Sequence, residues 1–318
     1  MRNNLAIIIP AYKEVFLEKV LISLENQTNK NFNVYVGDDN SPYDLESICK
    51  RHESKLNLQY IKFINNIGAK NLVDQWIRCI ELSKVEDWIW VFSDDDLIDS
   101  NCVEVFYFTI NSDKCKYDVY RFDTRVIDDT DLVLSESTES PFVDTSENMA
   151  YCILMFERGH SMPDHIFSRS IYDKYGFVKT DYAQAADWAT FIRLSKDKGI
   201  CTMKEAKISW RLGCYNISGN VKRNVAKTIK GHFQFLNWII DFFKYMKIEN
   251  NDDRVSYEDI LRATEFNLEA VIKHHYLKLP LVNLLDVFRF YNEKEAKIII
   301  SVTKSIKLYY KVYFKWSL

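Results

Sequence analysis

The stretch Trp88-Ile89-Trp90-Val91-Phe92-Ser93-Asp94-Asp95-Asp96 constrains the fold more than any other part of this chain. Five apolar residues lead, through one serine, into three consecutive carboxylates. A short unbroken apolar run reads as a strand covered on both faces, the signature of a buried parallel sheet. The carboxylates then fall at the strand's C-terminal end, the edge at which open α/β sheets hold ligands. Three adjacent anions repel one another, so grouping them costs stability unless something positive neutralises them. Two readings follow. One is a hard divalent cation, Mg²⁺ or Mn²⁺, which prefers oxygen ligands and completes its shell with substrate phosphates. The other is an acidic turn, with Asp95 or Asp96 capping the next helix.

The preceding segments set this strand in a repeating pattern. Leu5 to Ile9 is an apolar, β-branched run ended by Pro10, and Ala11-Tyr12-Lys13-Glu14 is the loop after it. Leu17, Val20, Leu21 and Leu24 recur at helical spacing. Val34-Tyr35-Val36 forms a second strand, closed by the turn-formers Gly37-Asp38-Asp39-Asn40-Ser41-Pro42. Asp44 to Ser54 reads as a polar helix, and Leu58 to Ile64 as a third strand ending at Asn65-Asn66-Ile67-Gly68. Leu72, Val73, Trp76, Ile77 and Ile80 mark another helix. Strands alternating with helices imply βαβ units, right-handed crossovers and a mostly parallel sheet. Every strand then ends in a polar loop on one shared edge.

Other signals narrow the chemistry. No GxGxxG follows the first strand and no GxxxxGK[ST] occurs anywhere, which disfavours a dinucleotide fold or a P-loop ATPase. A net charge of −3 over 318 residues gives no reason to expect nucleic acid. The 7 cysteines have no CxxC spacing and read as reduced thiols of a cytoplasmic protein. The apolar run near the N-terminus is too short for a signal-peptide core, and no run is long enough to span a membrane.

Beyond Asp96, Asn101 to Ile110 and Ser146 to Phe156 read as helices and Tyr117 to Phe122 as a strand. Asp128 to Asp144 is an acidic excursion, and Arg158 to His165 a polar loop. A short apolar element covers Ile166 to Phe177. Asp187 precedes the helical run Ala189 to Leu194, where a carboxylate is favourable against the helix dipole on any reading. From Val225 the chain turns helical. Ile229, Phe233, Leu236, Ile240 and Phe243 form a stripe, and Ser256-Tyr257-Glu258-Asp259 starts a helix like a capping box. Two more helices follow, over Leu281 to Tyr291 and Glu293 to Leu318, so a boundary is expected near 220–226. The adjacent pair His274-His275 points apart on a helix and is read as surface or packing. Lys304, Lys307, Lys311 and Lys315 interleave with Tyr309, Tyr310, Tyr313, Phe314 and Trp316. Such a helix suits an anionic membrane surface, or its own domain with the lysines outward.

Four motifs in register, Ile7-Ile8-Ile9-Pro10-Ala11-Tyr12-Lys13-Glu14, Val36-Gly37-Asp38-Asp39-Asn40-Ser41, Asn66-Ile67-Gly68 and Phe92-Ser93-Asp94-Asp95-Asp96, resemble the family 2 glycosyltransferases of GT-A fold. The likeness covers about the first 110 residues and resumes around Ile166 to Leu194; the C-terminal helices resemble nothing nameable. It implies a Rossmann-like GT-A domain over 1–222, with a helical region over 223–318 for acceptor binding, packing or membrane association. By that resemblance Pro10, Ala11, Tyr12 and Glu14 line the donor nucleotide, with Asn66 and Gly68 on the same side, and Asp38 accepts from the base. Asp94 and Asp95 resemble the DxD-type pair: Asp94 would touch ribose or a metal-bound water, with Asp95 or Asp96 holding Mn²⁺ or Mg²⁺. Arg211 and Ser218 resemble an element that touches the diphosphate, and Asp187 the catalytic base. Two departures stand out. Ser93 occupies a position where many members carry Asp, and Leu212 one where many carry His.

The implied reaction is an inverting transfer of a sugar from a nucleotide diphosphate sugar, a UDP-sugar above all, in bacterial polysaccharide or glycan synthesis. The acceptor would be a hydroxyl of a glycan or lipid-linked saccharide, and the place the cytoplasm or the inner membrane face. Two other classes share parts of the pattern. A metal-dependent nucleotidyltransferase has a similar acidic strand end but usually a Gly-rich basic loop after its first strand. A non-catalytic nucleotide-sugar-binding protein would keep Asp38 without needing Asp187.

Overall fold

The computed structural model describes residues 4–112, 114, 116–213, 225–246, 255–275, 281–295 and 298–314. Its first part alternates as the apolar periodicity implies: β1 (Leu5–Ala11), α1 (Leu17–Glu25), β2 (Phe32–Asp38), α2 (Leu45–Lys50), β3 (Leu58–Lys62), α3 (Leu72–Ile80) and β4 (Trp88–Val91). There follow β5 (Leu97–Ile98), α4 (Cys102–Ser112), β6 (Val119–Ile127), β7 (Val133–Glu136), β8 (Val143–Asp144) and α5 (Ser146–Leu154). Then come β9 (His165–Ser168), α6 (Arg169–Tyr175), α7 (Ala186–Leu194) and β10 (Ile200–Arg211). The last elements are helical: α8 (Val225–Met246), α9 (Tyr257–His275), α10 (Leu284–Glu295) and α11 (Ile298–Phe314).

Among the described residues, ten strands join one sheet in the order β3-β2-β1-β4-β9-β6-β10-β5, with β7 on β6 and β8 on β10. β1 lies parallel to β2 and β4, and β2 parallel to β3. β9 runs antiparallel to both β4 and β6, which turns β6, and β10 beside it, back into the direction of β4. The C-terminal ends of β1, β2, β4, β6 and β10 therefore face one edge. β4 is covered on both faces as its sequence implies: Ile89 and Trp90 are fully buried. Trp90 stacks on Phe122 and donates its indole N–H to the Pro163 carbonyl at 2.6 Å. Burying an aromatic side chain of that size contributes about 2–3 kcal/mol.

β10 is the element that the sequence hides. Lys204 and Lys207 interrupt its apolar pattern, yet in the sheet they pair with Asp123 of β6 and Glu136 of β7. β6 likewise runs past Phe122 to Ile127, because Asp123, Thr124 and Arg125 have cross-strand partners. The acidic excursion contains two short strands, and α2 stops at Lys50 rather than Ser54.

Contacts within the chain group it into two units. Met1–Ser146, Arg158–Phe177 and Thr190–Gly219 form one; Glu147–Glu157, Val178–Ala189 and Asn220–Leu318 form the other. The first holds the whole sheet. In the second, the stripe Ile229, Phe233, Leu236, Ile240 and Phe243 is buried. Ser256 and Asp259 make the capping exchange that starts α9: each backbone N–H donates to the other's side chain. On α11 Lys307 and Lys311 are exposed, as the outward-lysine reading expects, and Ser301, Ser305 and Leu308 are buried. Lys304 pairs with Glu295 and Glu265, and Lys311 with Glu269, while Ile299, Ile306 and Tyr310 face outward. The side chains of His274, His275, Tyr313, Phe314, Lys315 and Trp316 lie outside the described residues, as do Cys115 and Cys214. Cys49, Cys79, Cys102, Cys152 and Cys201 are buried. Among the described residues no helix is long and apolar enough to cross a membrane.

Candidate active site

The end of β4 and the loop after β1 are tied together through Asp94. Its Oδ2 accepts from the backbone N–H of Tyr12 at 2.9 Å and of Lys13 at 2.8 Å. Those donors are available because the chain has left β1, where the ladder would have used them. Pro10 ends the run partly buried and Ala11 is fully buried, whereas Tyr12 and Glu14 are exposed at the mouth. Ser41 donates its hydroxyl to the Tyr12 carbonyl at 2.7 Å, which adds the β2 loop to the same cluster.

The three carboxylates are all buried, and the positive groups that balance them are Lys13 and Arg211. Lys13 Nζ sits 3.2 Å from Asp94 Oδ1 and closer still to Asp95 Oδ2. Asp96 accepts from the Ser93 hydroxyl at 2.6 Å and from the Arg211 backbone N–H at 2.7 Å. Arg211 is fully buried at the end of β10. Its Nε donates to the Asp95 carbonyl at 2.8 Å, and its fork reaches the Asp128 carbonyl and, at 2.6 Å, the Asp131 carboxylate. Its guanidinium also lies 4.1 Å over the Phe16 ring. Arg211 thus fastens three loops to one another, a placement that its sequence position did not reveal.

This charge balance is incomplete. Burial pushes the Asp94 carboxyl above its ordinary value despite Lys13. Burial, with the neighbouring Asp95 charge, raises Asp96 to about 7. Burial works against the Lys13 ammonium, but Asp94 and Asp95 outweigh it and raise its pKa. The site therefore has room for more positive charge.

The two acids ending β2 divide their work. Asp38 is fully buried; its Oδ1 accepts from Ser41 N–H at 2.6 Å and its Oδ2 from the Tyr60 hydroxyl at 2.5 Å. The hydrogen bond and burial push the Tyr60 phenol far above its usual range, with burial the larger cause. Asp39 instead reaches the Asn66–Gly68 loop, accepting from the N–H groups of Ile67 and Gly68, each at 2.8 Å, and from Arg78. Asn66 is partly buried and turns its own carbonyl oxygen toward Ala69 N–H at 3.4 Å. Lys13, Asp39, Tyr60 and Arg78 are the members that sequence reasoning passed over. Only Lys13 and Asp39 could have been suspected, as neighbours of Tyr12 and Asp38.

Asp187 lies in the first turn of α7, half-buried, and its carboxylate accepts from the Trp188 N–H at 2.9 Å. Trp188 packs edge-on against Phe235. Ser218 lies outside the described residues.

The donor set suits a hard cation. Asp94 and Asp96 already accept from backbone N–H groups, whereas the Asp95 carboxylate meets the Lys13 ammonium. One or two carboxylates with substrate phosphates is the usual way Mg²⁺ is held. Asp95 would hold such an ion, with Asp96 beside it.

A family model for glycosyl transferase family 2 matches residues 6–179. In Pasteurella multocida (strain Pm70), a chondroitin synthase is 29% identical over 101 residues, 28% of this chain and 10% of that protein. The chain thus spans about a tenth of that relative's length. Among solved structures, Staphylococcus aureus TarS residues 1–349 in complex with UDP-GlcNAc superposes with a TM-score of 0.66 at 14% identity, covering 99% of this chain and 91% of that one. A mannosyltransferase from Pyrobaculum calidifontis in complex with GDP-Man and Mn²⁺ gives a TM-score of 0.51 at 11% identity, over 99% and 88%. The matched segment takes in β1 through β9, with the acidic end of β4 inside it, and the GT-A arrangement of sheet and helices agrees: the chain belongs to glycosyl transferase family 2.

Proposed function

We propose that the chain transfers a sugar from a nucleotide diphosphate sugar, a UDP-sugar, to a hydroxyl of a glycan or lipid-linked saccharide at the cytoplasmic side of a membrane. The observation that carries this reading is the buried Asp94-Asp95-Asp96 end of β4, held against the β1 loop by the Tyr12 and Lys13 N–H groups. Tyr12, exposed at 43%, offers its ring to a nucleobase, and Pro10, Ala11 and Glu14 shape the same loop. Asp38 and the Asn66–Gly68 loop hold the base side; contact of Ser218 with the diphosphate is carried over from the family resemblance alone.

A divalent cation, Mn²⁺ or Mg²⁺, at Asp95 and Asp96 would offset the charge that develops on the departing diphosphate. Asp187 acts as general base, taking the proton from the incoming hydroxyl. A single displacement opposite the leaving diphosphate inverts the anomeric centre. No covalent nucleophile is needed. The solved complexes of TarS with UDP-GlcNAc and with UDP support a uridine donor; the Mn²⁺ and GDP-Man of the mannosyltransferase complex support the metal and leave guanosine as the competitor.

A thermal-shift panel of UDP-, GDP- and dTDP-sugars, with Mn²⁺ or with a chelator, tests the proposal. A ligand at a hundred times its dissociation constant adds about 2.7 kcal/mol of stability. The expected result is stabilisation by UDP-sugars that a chelator largely abolishes. Equal shifts with and without metal would remove the cation from the reading, and no shift by any nucleotide would remove the donor.

A further inference from the structure

The β1 loop carries a cation into the site that the reading above reserves for a metal. Lys13 Nζ contacts Asp94 Oδ1 at 3.2 Å and lies closer to Asp95 Oδ2, and its side chain is 22% exposed. The other positive group at the acidic strand end, Arg211, is fixed: it is fully buried and engages the Asp95 carbonyl, the Asp128 carbonyl and Asp131. Lys13 is different in kind. A lysine is a compact charge on a flexible four-carbon stem, and its three donors turn freely. Its backbone is held independently of its ammonium, since Lys13 N–H donates to Asp94 Oδ2. The ammonium can therefore leave Asp95 without loosening the loop.

We propose that Lys13 is an exchangeable counter-charge, which holds the Asp94–Asp95 pair while no donor is bound and yields Asp95 to a divalent cation when the donor's diphosphate arrives. This rests on the reading of the site as a metal-assisted nucleotide-sugar site. Charge balance supplies the reason. With Lys13 on Asp95, a dication entering alone meets an ammonium at contact distance and the repulsion weakens its binding. A diphosphate brings negative charge of its own, gives the displaced ammonium a new partner and completes the cation's oxygen shell. Metal and nucleotide would then bind cooperatively, and Asp94 and Asp95 would keep a counter-charge between turnovers. Lys13 is in this sense a positioning residue that sets the order of binding.

The test is Mn²⁺ binding, followed by the electron-spin-resonance signal of free Mn²⁺, to the wild-type chain and to Lys13→Met, first without nucleotide and then with UDP. In Lys13→Met the affinity for Mn²⁺ alone should rise about tenfold or more, because a like charge has been taken from the site. The gain in Mn²⁺ affinity caused by UDP should shrink by a similar factor, because the coupling is reciprocal. Lys13→Gln, neutral but still able to donate to Asp95, gives the same readout should the methionine variant fail to fold. Lys13→Arg should keep the wild-type pattern. Unchanged or weaker binding of Mn²⁺ alone in the neutral variants overturns the proposal. Absence of Mn²⁺ binding by the wild-type chain even with UDP would instead overturn the metal-assisted reading, so the two failures are distinct.

Discussion

A β-carbon placed on Gly68 would lie 2.6 Å from Asp39 Oδ2. The glycine is there so that the backbone can bring the N–H groups of Ile67 and Gly68 onto the Asp39 carboxylate. Gly68→Ala should push Asp39 away from that loop and from Arg78. We expect a loss of about 1–3 kcal/mol in urea unfolding, typical of a broken buried hydrogen-bond set. The thermal shift given by UDP should fall as well, because the Asn66–Gly68 loop loses its anchor. An alanine variant of full stability and full nucleotide response would show that the loop closes without Asp39.

Arg211 offers a sharper choice. Its guanidinium is fully buried against Asp131 and two backbone carbonyls. Arg211→Met leaves the Asp95 and Asp128 carbonyls without their donor and should cost about 1–3 kcal/mol. Arg211→Lys should also destabilise, since a lysine cannot present the same fork. If the arginine's main work were instead to touch the diphosphate, Arg211→Lys would unfold like the wild type and lose only affinity for UDP. Equilibrium unfolding and a UDP titration on the same variant separate the two.

The two arguments show where the sequence was informative. The unbroken apolar runs of β1 and β4 and the helical stripe of α8 could be read directly, since burial on a fixed period leaves a mark in composition. Asp94, Asp95 and Asp96 could be read because three adjacent anions need an explanation. β10 could not: Lys204 and Lys207 look like solvent-facing residues until Asp123 and Glu136 appear beside them. Arg211 hangs on that strand, so its burial was out of reach too. The division between Asp38 and Asp39 depends on which loop each one meets, and only the fold brings β3 to one and the Gly68 loop to the other.

His160 gives a pH prediction. It is buried, with Asp164 Oδ2 at 3.4 Å from its Nδ1, Arg121 Nη1 at 3.4 Å from its Nε2 and the His165 ring at 5.6 Å. Burial, with the adjacent Arg121 charge, outweighs Asp164 and lowers its pKa from 6.5 to about 4. A histidine lowered on folding is neutral in the native chain at a pH where the unfolded chain takes up a proton. Its contribution is therefore complete above pH 6.5 and is lost as pH falls toward 4. The loss should amount to about 3 kcal/mol over that interval. His160→Gln should show a flatter decline between pH 6.5 and 4 by urea unfolding. A wild-type slope in the variant would move the origin of the pH dependence elsewhere.

α11 turns an apolar stripe outward: Ile299 is 82% exposed, Ile306 63% and Tyr310 56%. Lys307 stands beside it, while Lys304 and Lys311 are engaged by glutamates. If this helix meets an anionic membrane, contact comes through the apolar stripe more than through charge. Ile306→Glu should then abolish flotation with anionic vesicles, whereas Lys307→Gln should weaken it only at low salt. Wild-type chain that stays in the pellet fraction with such vesicles would leave the helix without a membrane role.

The proposed general base, Asp187, is open to a direct test. Its carboxylate accepts from the Trp188 N–H in the first turn of α7. A general base contributes about 10²–10⁴-fold to rate. Asp187→Asn keeps the shape and removes the basicity. Binding of the nucleotide sugar, read by thermal shift, should be close to wild type, while sugar transfer falls by about two orders of magnitude or more. If the residue served only as a helix N-terminal charge, the same change would cost about 0.3–1 kcal/mol of stability and leave transfer nearly intact. Retained activity in a folded Asp187→Asn chain would shift the search to Asp164 or Asp181. Asp164 is fully buried beside His160, and Asp181 is held by Lys230 at 2.8 Å. On the proposed reading of Asp187 as the base, a strong loss of transfer confined to the Asp187 variant is the expected pattern.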